Sequence, residues 1–336
     1  MAEYHVGCGL AGIYAGTIKK PGEWKNKSEV TAEALRSVAE LRPCGLSRNT
    51  CSDSSKRVTK PTKLRGQTRL PARRLSLLVA GRTLMKKIGI TETYDPCFVP
   101  DWETKLLEAN IVISKELNDE MIEKLLLVQD RVIFHHTVTG QGGTILEPNV
   151  QTPEHEFAQF RKLLSRGFPL THYVLRLDPI ILWSKETQDN IIKVLELWKP
   201  VVEECRNQIR CRVSVVDLYP HVKERLAAAG YKVFYDTFTA PDAVFRRIDT
   251  IFCPFYQYFR FECCAEPKLF PYNFMHYGCA SYYDLELLGI DREGQKEYGA
   301  PDKKQRGDCQ CLAKKQILGT KPGRCPHGCL YCFWKG

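Results

Sequence analysis

No stretch of this 336-residue chain approaches the roughly 18 consecutive apolar residues of a membrane-spanning helix, which excludes a helical membrane span. The start, Met1-Ala2-Glu3-Tyr4-His5, lacks the basic and apolar regions of a signal peptide, so a cytoplasmic location is expected. Net positive charge is scarce outside one segment. The net charge is +10, yet residues 42–74, with ten Lys/Arg against the single acid Asp53, supply nine of those charges. That placement argues against a basic folded face. The segment also has no hydrophobic period and is rich in Ser, Thr and Pro. It reads as a disordered linker carrying free thiols at Cys44 and Cys51, with a weak nucleic-acid arm as the functional alternative. Gly7-Cys8-Gly9-Leu10-Ala11-Gly12 matches a dinucleotide-binding pattern. It lacks the preceding strand and the full following helix that the pattern needs, and is read as a chance match.

What is present begins with a helix over Ser28–Leu41, capped by Ser28, in an otherwise unassigned segment 1–41. From residue 75 to about 300, β-branched runs alternate with amphipathic helices. Leu75–Ala80, Ala109–Ser114, Arg131–Val138, Tyr173–Ile181 and Arg212–Val216 read as strands, with a further one at Tyr231–Tyr235 or Thr250–Phe255. Asn118 caps one helix, Thr152-Pro153 opens another, and Lys185–Trp198 and His221–Ala229 are two more. Repeated βα units predict an α/β fold, a partial (βα) barrel of about six parallel strands, followed by a cysteine-rich C-terminal tail over 301–336. Ligands in such folds bind at the C-terminal strand ends. Gly142 and Gly143, Arg176 and Asp178, and Asp217 stand there and are candidates for cofactor or substrate binding. A plain salt bridge between Arg176 and Asp178 is the competing reading. His135 and His136 point to opposite faces of a strand, so at most one can face a site.

Cysteine is abundant: fifteen residues, nine of them from Cys253 onward. In a chain of this size without an export signal, this favours metal ligation over disulfides. Cys325-Pro326-His327-Gly328-Cys329-Leu330-Tyr331-Cys332 carries three thiols at C-x3-C-x2-C spacing. Three thiolates on one short loop can hold three irons of a 4Fe-4S cluster and leave the fourth open to chelate a small molecule. This is the spacing of radical S-adenosylmethionine enzymes, in which Tyr331 would pack beside the adenine. A structural zinc site completed by His327 or a nearby cysteine is the rival, and unligated buried thiols a third reading. Cys264, Cys279, Cys309 and Cys311 are read as ligands of a second 4Fe-4S cluster or of zinc.

The segments ILEPNV (145–150), VLRLDPII (174–181) and VSVVDLY (213–219), the Cys309-x-Cys311 pair and the terminal CPHGCLYC together resemble a bacterial and phage family of uncharacterised function. Its members carry a C-terminal cysteine cluster like that of radical S-adenosylmethionine enzymes, and it is distantly similar to spore photoproduct lyases. The resemblance covers roughly residues 75–336. It implies a radical-enzyme barrel whose cluster loop has moved from after the first strand to the tail. The expected activity is reductive cleavage of S-adenosylmethionine to a 5′-deoxyadenosyl radical that abstracts hydrogen from a substrate, small or macromolecular. The electron donor would be a flavodoxin or a ferredoxin. A non-catalytic zinc or iron–sulfur protein, and photoproduct-lyase-like nucleic-acid repair, are the alternatives.

Overall fold

The computed structural model describes residues 85–99, 101–301, 309–319, 323 and 325–334. The Ser28–Leu41 helix, the basic segment 42–74, the glycine pattern near the start and the Leu75–Ala80 strand lie outside the described residues. Eight parallel strands make one open sheet: β1 (Ile88–Ile90), β2 (Asn110–Ser114), β3 (Val132–Thr137), β4 (Tyr173–Ile180), β5 (Ile209–Val215), β6 (Phe259–Cys263), β7 (Met275–His276) and β8 (Lys315–Ile317). Their order across the sheet is β7-β6-β5-β4-β3-β2-β1-β8. Strands β1 to β7 are therefore laid down in chain order, each beside the last, and the expected α/β fold takes the form of an open sheet. The last strand returns to the free side of β1, pairing Ile88 with Lys315 and Ile90 with Ile317. Because β8 is parallel to its neighbour, the chain leaves it at the same rim as every other strand end.

The connecting helices start where local chemistry directs. Asn118 accepts the Met121 amide at 2.9 Å to open α1 (Asp119–Leu127). Thr152 caps α2 (Pro153–Ser165), whose first residue is a proline with no amide to satisfy. A Ser184/Thr187 capping box starts α3 (Lys185–Cys205). This helix outruns its expected end at Trp198 and passes through Pro200, because Val201 and Val202 continue its buried face. Next comes α4 (Pro220–Ala228).

Two expectations change beyond this point. Tyr231–Tyr235 forms no strand. Thr250–Phe255 is the end of a helix, α5 (Asp242–Phe252), and a following 3-10 turn. Val244, Phe245, Ile248, Ile251 and Phe252 are all buried, and their three- and four-residue spacing places them on one helical face. The sixth strand follows, inside the aromatic stretch, where Phe259 and Phe261 alternate with Arg260 and Glu262.

Strand side chains alternate between two cores. On one face Val112, Phe134, Leu175, Cys211, Val213 and Phe261 pack against α1, α2, α3 and α5. On the other, Ile88, Ile90, Ile111, Ile113, Ile133 and Val174 pack against Leu312, Tyr298 and Leu285, the last from α6 (Tyr282–Leu287). The second face turns polar toward β5 and β6. There Arg210 reaches Glu262 at 2.9 Å and Asp284 at 2.8 Å, and Arg212 pairs with Glu262. These ions are buried but mutually neutralising, the condition under which charge is tolerated inside a fold. The two histidines of β3 do face opposite ways. His136 binds Glu156 of α2 at 2.7 Å and the Tyr173 hydroxyl at 3.1 Å, a structural role. His135 lies on the polar face.

Candidate metal centre and cavity at the strand ends

A cavity of about 780 Å³ opens at the C-terminal ends of the first five strands. Thr91, Ile113 to Lys115, Thr137, Arg176, Asp178, Pro179 and Ser214 to Asp217 form its wall, and the loop 325–334 closes it with Cys325, Cys329, Tyr331 and Cys332. The three tail cysteines thus lie at the strand ends. The route is short: β8 delivers the chain to this rim eight residues before Cys325.

Five interactions pin the loop. Lys115, just past β2, donates from its Nζ to Glu147 Oε1 at 2.7 Å and to the Tyr331 hydroxyl at 2.9 Å. His327 Nε2 lies 2.8 Å from Asp95 Oδ2, while Asp95 also accepts from Ser114 Oγ at 2.6 Å and from the Lys115 amide at 2.7 Å. The Asn149 side-chain amide donates to the Pro326 carbonyl at 2.9 Å, and the Leu330 amide to the Leu146 carbonyl at 3.0 Å. Arg225 of α4 donates to the Cys332 carbonyl. Beneath the loop, Leu146, Val150, Trp183, Val216 and Leu218 form a small apolar core with Cys329 and Tyr331. Gly328 takes φ +64°, the left-handed turn that lets three cysteines share one short loop.

This geometry bears on the donor set. His327 has its Nε2 committed to Asp95, and its ring packs edge-on against Phe98 at 5.0 Å. It works as an anchor of the loop. Burial pushes the Cys329 thiol up to about 12, against the pull of Lys115. Burial likewise raises the Cys325 thiol. Such thiols become thiolates when a metal compensates their charge.

Arg176 and Asp178 are salt-bridged, as the competing reading had it, and both also line the cavity. Asp217 and Ser214 line it from β5 and the turn beyond. Gly142 and Gly143 do not. Gly142 bridges to Glu147, and a side chain there would collide with the Gln151 carbonyl; Gly143 adopts φ +77°. The two glycines shape the loop that presents Glu147 to Lys115. Lys115, Asp95, Glu147 and Asn149 were missed as functional residues. Glu147 and Asn149 lie inside ILEPNV, so the motif held the signal; Lys115 was marked only by its place at a strand end.

The second cysteine set is also brought together. Cys264 follows β6, Cys279 follows β7, and Cys309 and Cys311 precede β8. Cys264 Sγ lies 3.6 Å from Cys311 Sγ and 3.9 Å from Cys309 Sγ. Among the described residues, Cys264, Cys279 and Cys311 form the one trio whose ligand atoms all lie within 4.8 Å of one another, so this trio can hold a metal ion. Amides point at the sulfurs, Cys279 N to Cys311 Sγ at 3.1 Å and Cys311 N to Cys309 Sγ at 3.4 Å. Hydrogen bonds from Cys264, Cys279 and Cys309 hold the Cys311 thiol far down. All twelve cysteines among the described residues are free of disulfides.

No helix among the described residues is long and apolar enough to cross a membrane. A search of curated proteins finds no match. The family model described as "Domain of unknown function (DUF1848)" matches residues 100–334, the region that holds β2 to β8, most of the cavity wall and both cysteine sets, and the chain belongs to that family.

Proposed function

We propose that this chain is a radical S-adenosylmethionine enzyme, with Cys325, Cys329 and Cys332 as the ligands of a 4Fe-4S cluster at the mouth of the cavity. The observation that carries the proposal is the convergence of the three tail thiols on the strand ends that also present Arg176, Asp178 and Asp217. The donor set fits the group. The three cysteines stand on one loop that closes the cavity. The loop also lies next to β1 in space, through β8, although it is last in sequence.

When bound, such a cluster and S-adenosylmethionine together supply one-electron reductive cleavage to a 5′-deoxyadenosyl radical. The chain's own residues bind and orient. Lys115 fixes the Tyr331 ring at the cavity wall through its hydroxyl and by standing 5.4 Å from the ring centre. Arg176 with Asp178, and Ser214 with Asp217, offer a guanidinium, two carboxylates and a hydroxyl to the amino, carboxylate and ribose groups of bound molecules. The apolar layer of Leu146, Trp183, Val216 and Leu218 keeps water from beneath the loop. The distant resemblance to spore photoproduct lyases belongs to this proposal at the level of reaction class.

The test is anaerobic iron–sulfide reconstitution, reduction, and addition of S-adenosylmethionine. The expected result is a changed electron paramagnetic resonance signal on addition and release of 5′-deoxyadenosine, both lost in Cys329→Ala. A fully loaded cluster whose signal ignores S-adenosylmethionine, and which releases no 5′-deoxyadenosine, overturns the proposal.

A further inference from the structure

We infer that Cys264, Cys279, Cys309 and Cys311 form a closed site for a single four-coordinate zinc-type ion, and that this ion clasps the C-terminal half of the sheet to the segment leading into β8. The sulfur separations decide between one ion and a cluster. Four thiolates about 2.3 Å from one tetrahedral ion stand about 3.8 Å apart. The Cys264 contacts, at 3.6 and 3.9 Å, bracket that edge length. A four-iron cluster would need its ligands pushed outward to separate irons, whereas Cys264, Cys279 and Cys311 already lie within 4.8 Å of one another, with Cys309 outside that trio but 3.9 Å from Cys264.

The surroundings fit a fixed ion. The amides of Cys279 and Cys311 point at sulfurs, the usual way a protein stabilises thiolate charge. Arg212 donates at 2.5 Å to the carbonyl of Gly278, next to Cys279. Gly278 is required by backbone contact: a methyl there would run into Gln310 and the Cys311 amide, 2.5 Å away. The glycine lets the β7 loop and the Cys309–Cys311 segment approach closely enough to share an ion. With Cys309 drawn in beside the Cys264, Cys279 and Cys311 trio, protein sulfur would fill all four positions, the pattern of a structural site with no open position for substrate. None of the four cysteines lines the cavity. The site therefore stands whether or not the tail loop carries a cluster.

The experiment uses the full chain with Cys325→Ala, Cys329→Ala and Cys332→Ala combined, so that tail-bound metal is absent. Metal analysis is expected to find one zinc per chain without acid-labile sulfide. Exchange for cobalt is expected to give the thiolate charge-transfer and visible bands of a tetrahedral ion, lost on adding Cys311→Ser. Alkylation with mass mapping supplies a readout that does not depend on variants at the site: the four thiols are expected to stay unlabelled until a chelator is added. No bound metal, iron with labile sulfide, or ready labelling of the four thiols before chelation would each overturn the inference.

Discussion

Lys115 and Tyr331 stand 216 residues apart in sequence and meet at 2.9 Å, ammonium to phenol, at the edge of the strand-end cavity. This contact joins the end of β2 to the cysteine loop. Because Lys115 also neutralises the almost fully buried Glu147, one side chain ties the tail, the ILEPNV loop and the sheet together.

Lys115→Met is expected to lower unfolding stability by about 3 kcal/mol, since it strands the Glu147 carboxylate in the interior. Urea denaturation checks this. Adding Glu147→Gln to the same chain is expected to recover part of the loss. A loss that the second substitution deepens would show that the ion pair is not its source.

Gly142→Ala is expected to lower stability by about 1–3 kcal/mol and to weaken iron retention by the tail loop, because the new methyl collides with the Gln151 carbonyl and displaces the loop that carries Glu147. Denaturant midpoints and iron content after desalting measure the two effects. Unchanged iron content would separate the glycine from the site.

Tyr173→Phe removes the hydroxyl that accepts from Trp198 Nε1 at 3.0 Å and contacts His136 Nδ1 at 3.1 Å. Two buried ring nitrogens lose their partner, at a cost of about 1–3 kcal/mol. Iron binding and the response to S-adenosylmethionine are expected to stay as in the parent protein, because this network lies on the helix-covered face, away from the cavity.

His135 is fully buried and is held neutral well below the ordinary histidine range by burial and by Arg212, Arg176 and Arg210. The unfolded chain binds a proton there below pH 6.5 and the folded chain does not. Stability is therefore expected to fall as pH drops below 6.5. His135→Leu should flatten that slope, as read from urea midpoints at pH 5 and pH 7.5. An unchanged slope would assign the acid sensitivity elsewhere.

Much of the architecture was legible in the chain. The strands β2 to β5 appear as β-branched runs, and Asn118 and Thr152 open the helices that their local chemistry announces. The C-x3-C-x2-C spacing and the four other clustered cysteines could be read as metal ligands, since side-chain type and spacing on one loop are local properties. Strands β1, β7 and β8 could not be read: two or three residues carry no period, and each exists only because a neighbour offers it backbone partners. The fate of Thr250–Phe255 was equally hidden, because a short apolar run serves helix and strand alike until packing selects a face.

The sequence by itself determined which sulfurs could bind metal and that the chain would build parallel βα units. Only tertiary structure decided which sulfurs share a point, because that depends on strand order. Placing β8 beside β1 carries the tail loop to the cavity, and the glycine-tight approach of Gly278 to Cys311 brings Cys279 and Cys309–Cys311 to Cys264. Contacts between residues so far apart along the chain follow from packing the whole sheet, and no local spacing encodes them.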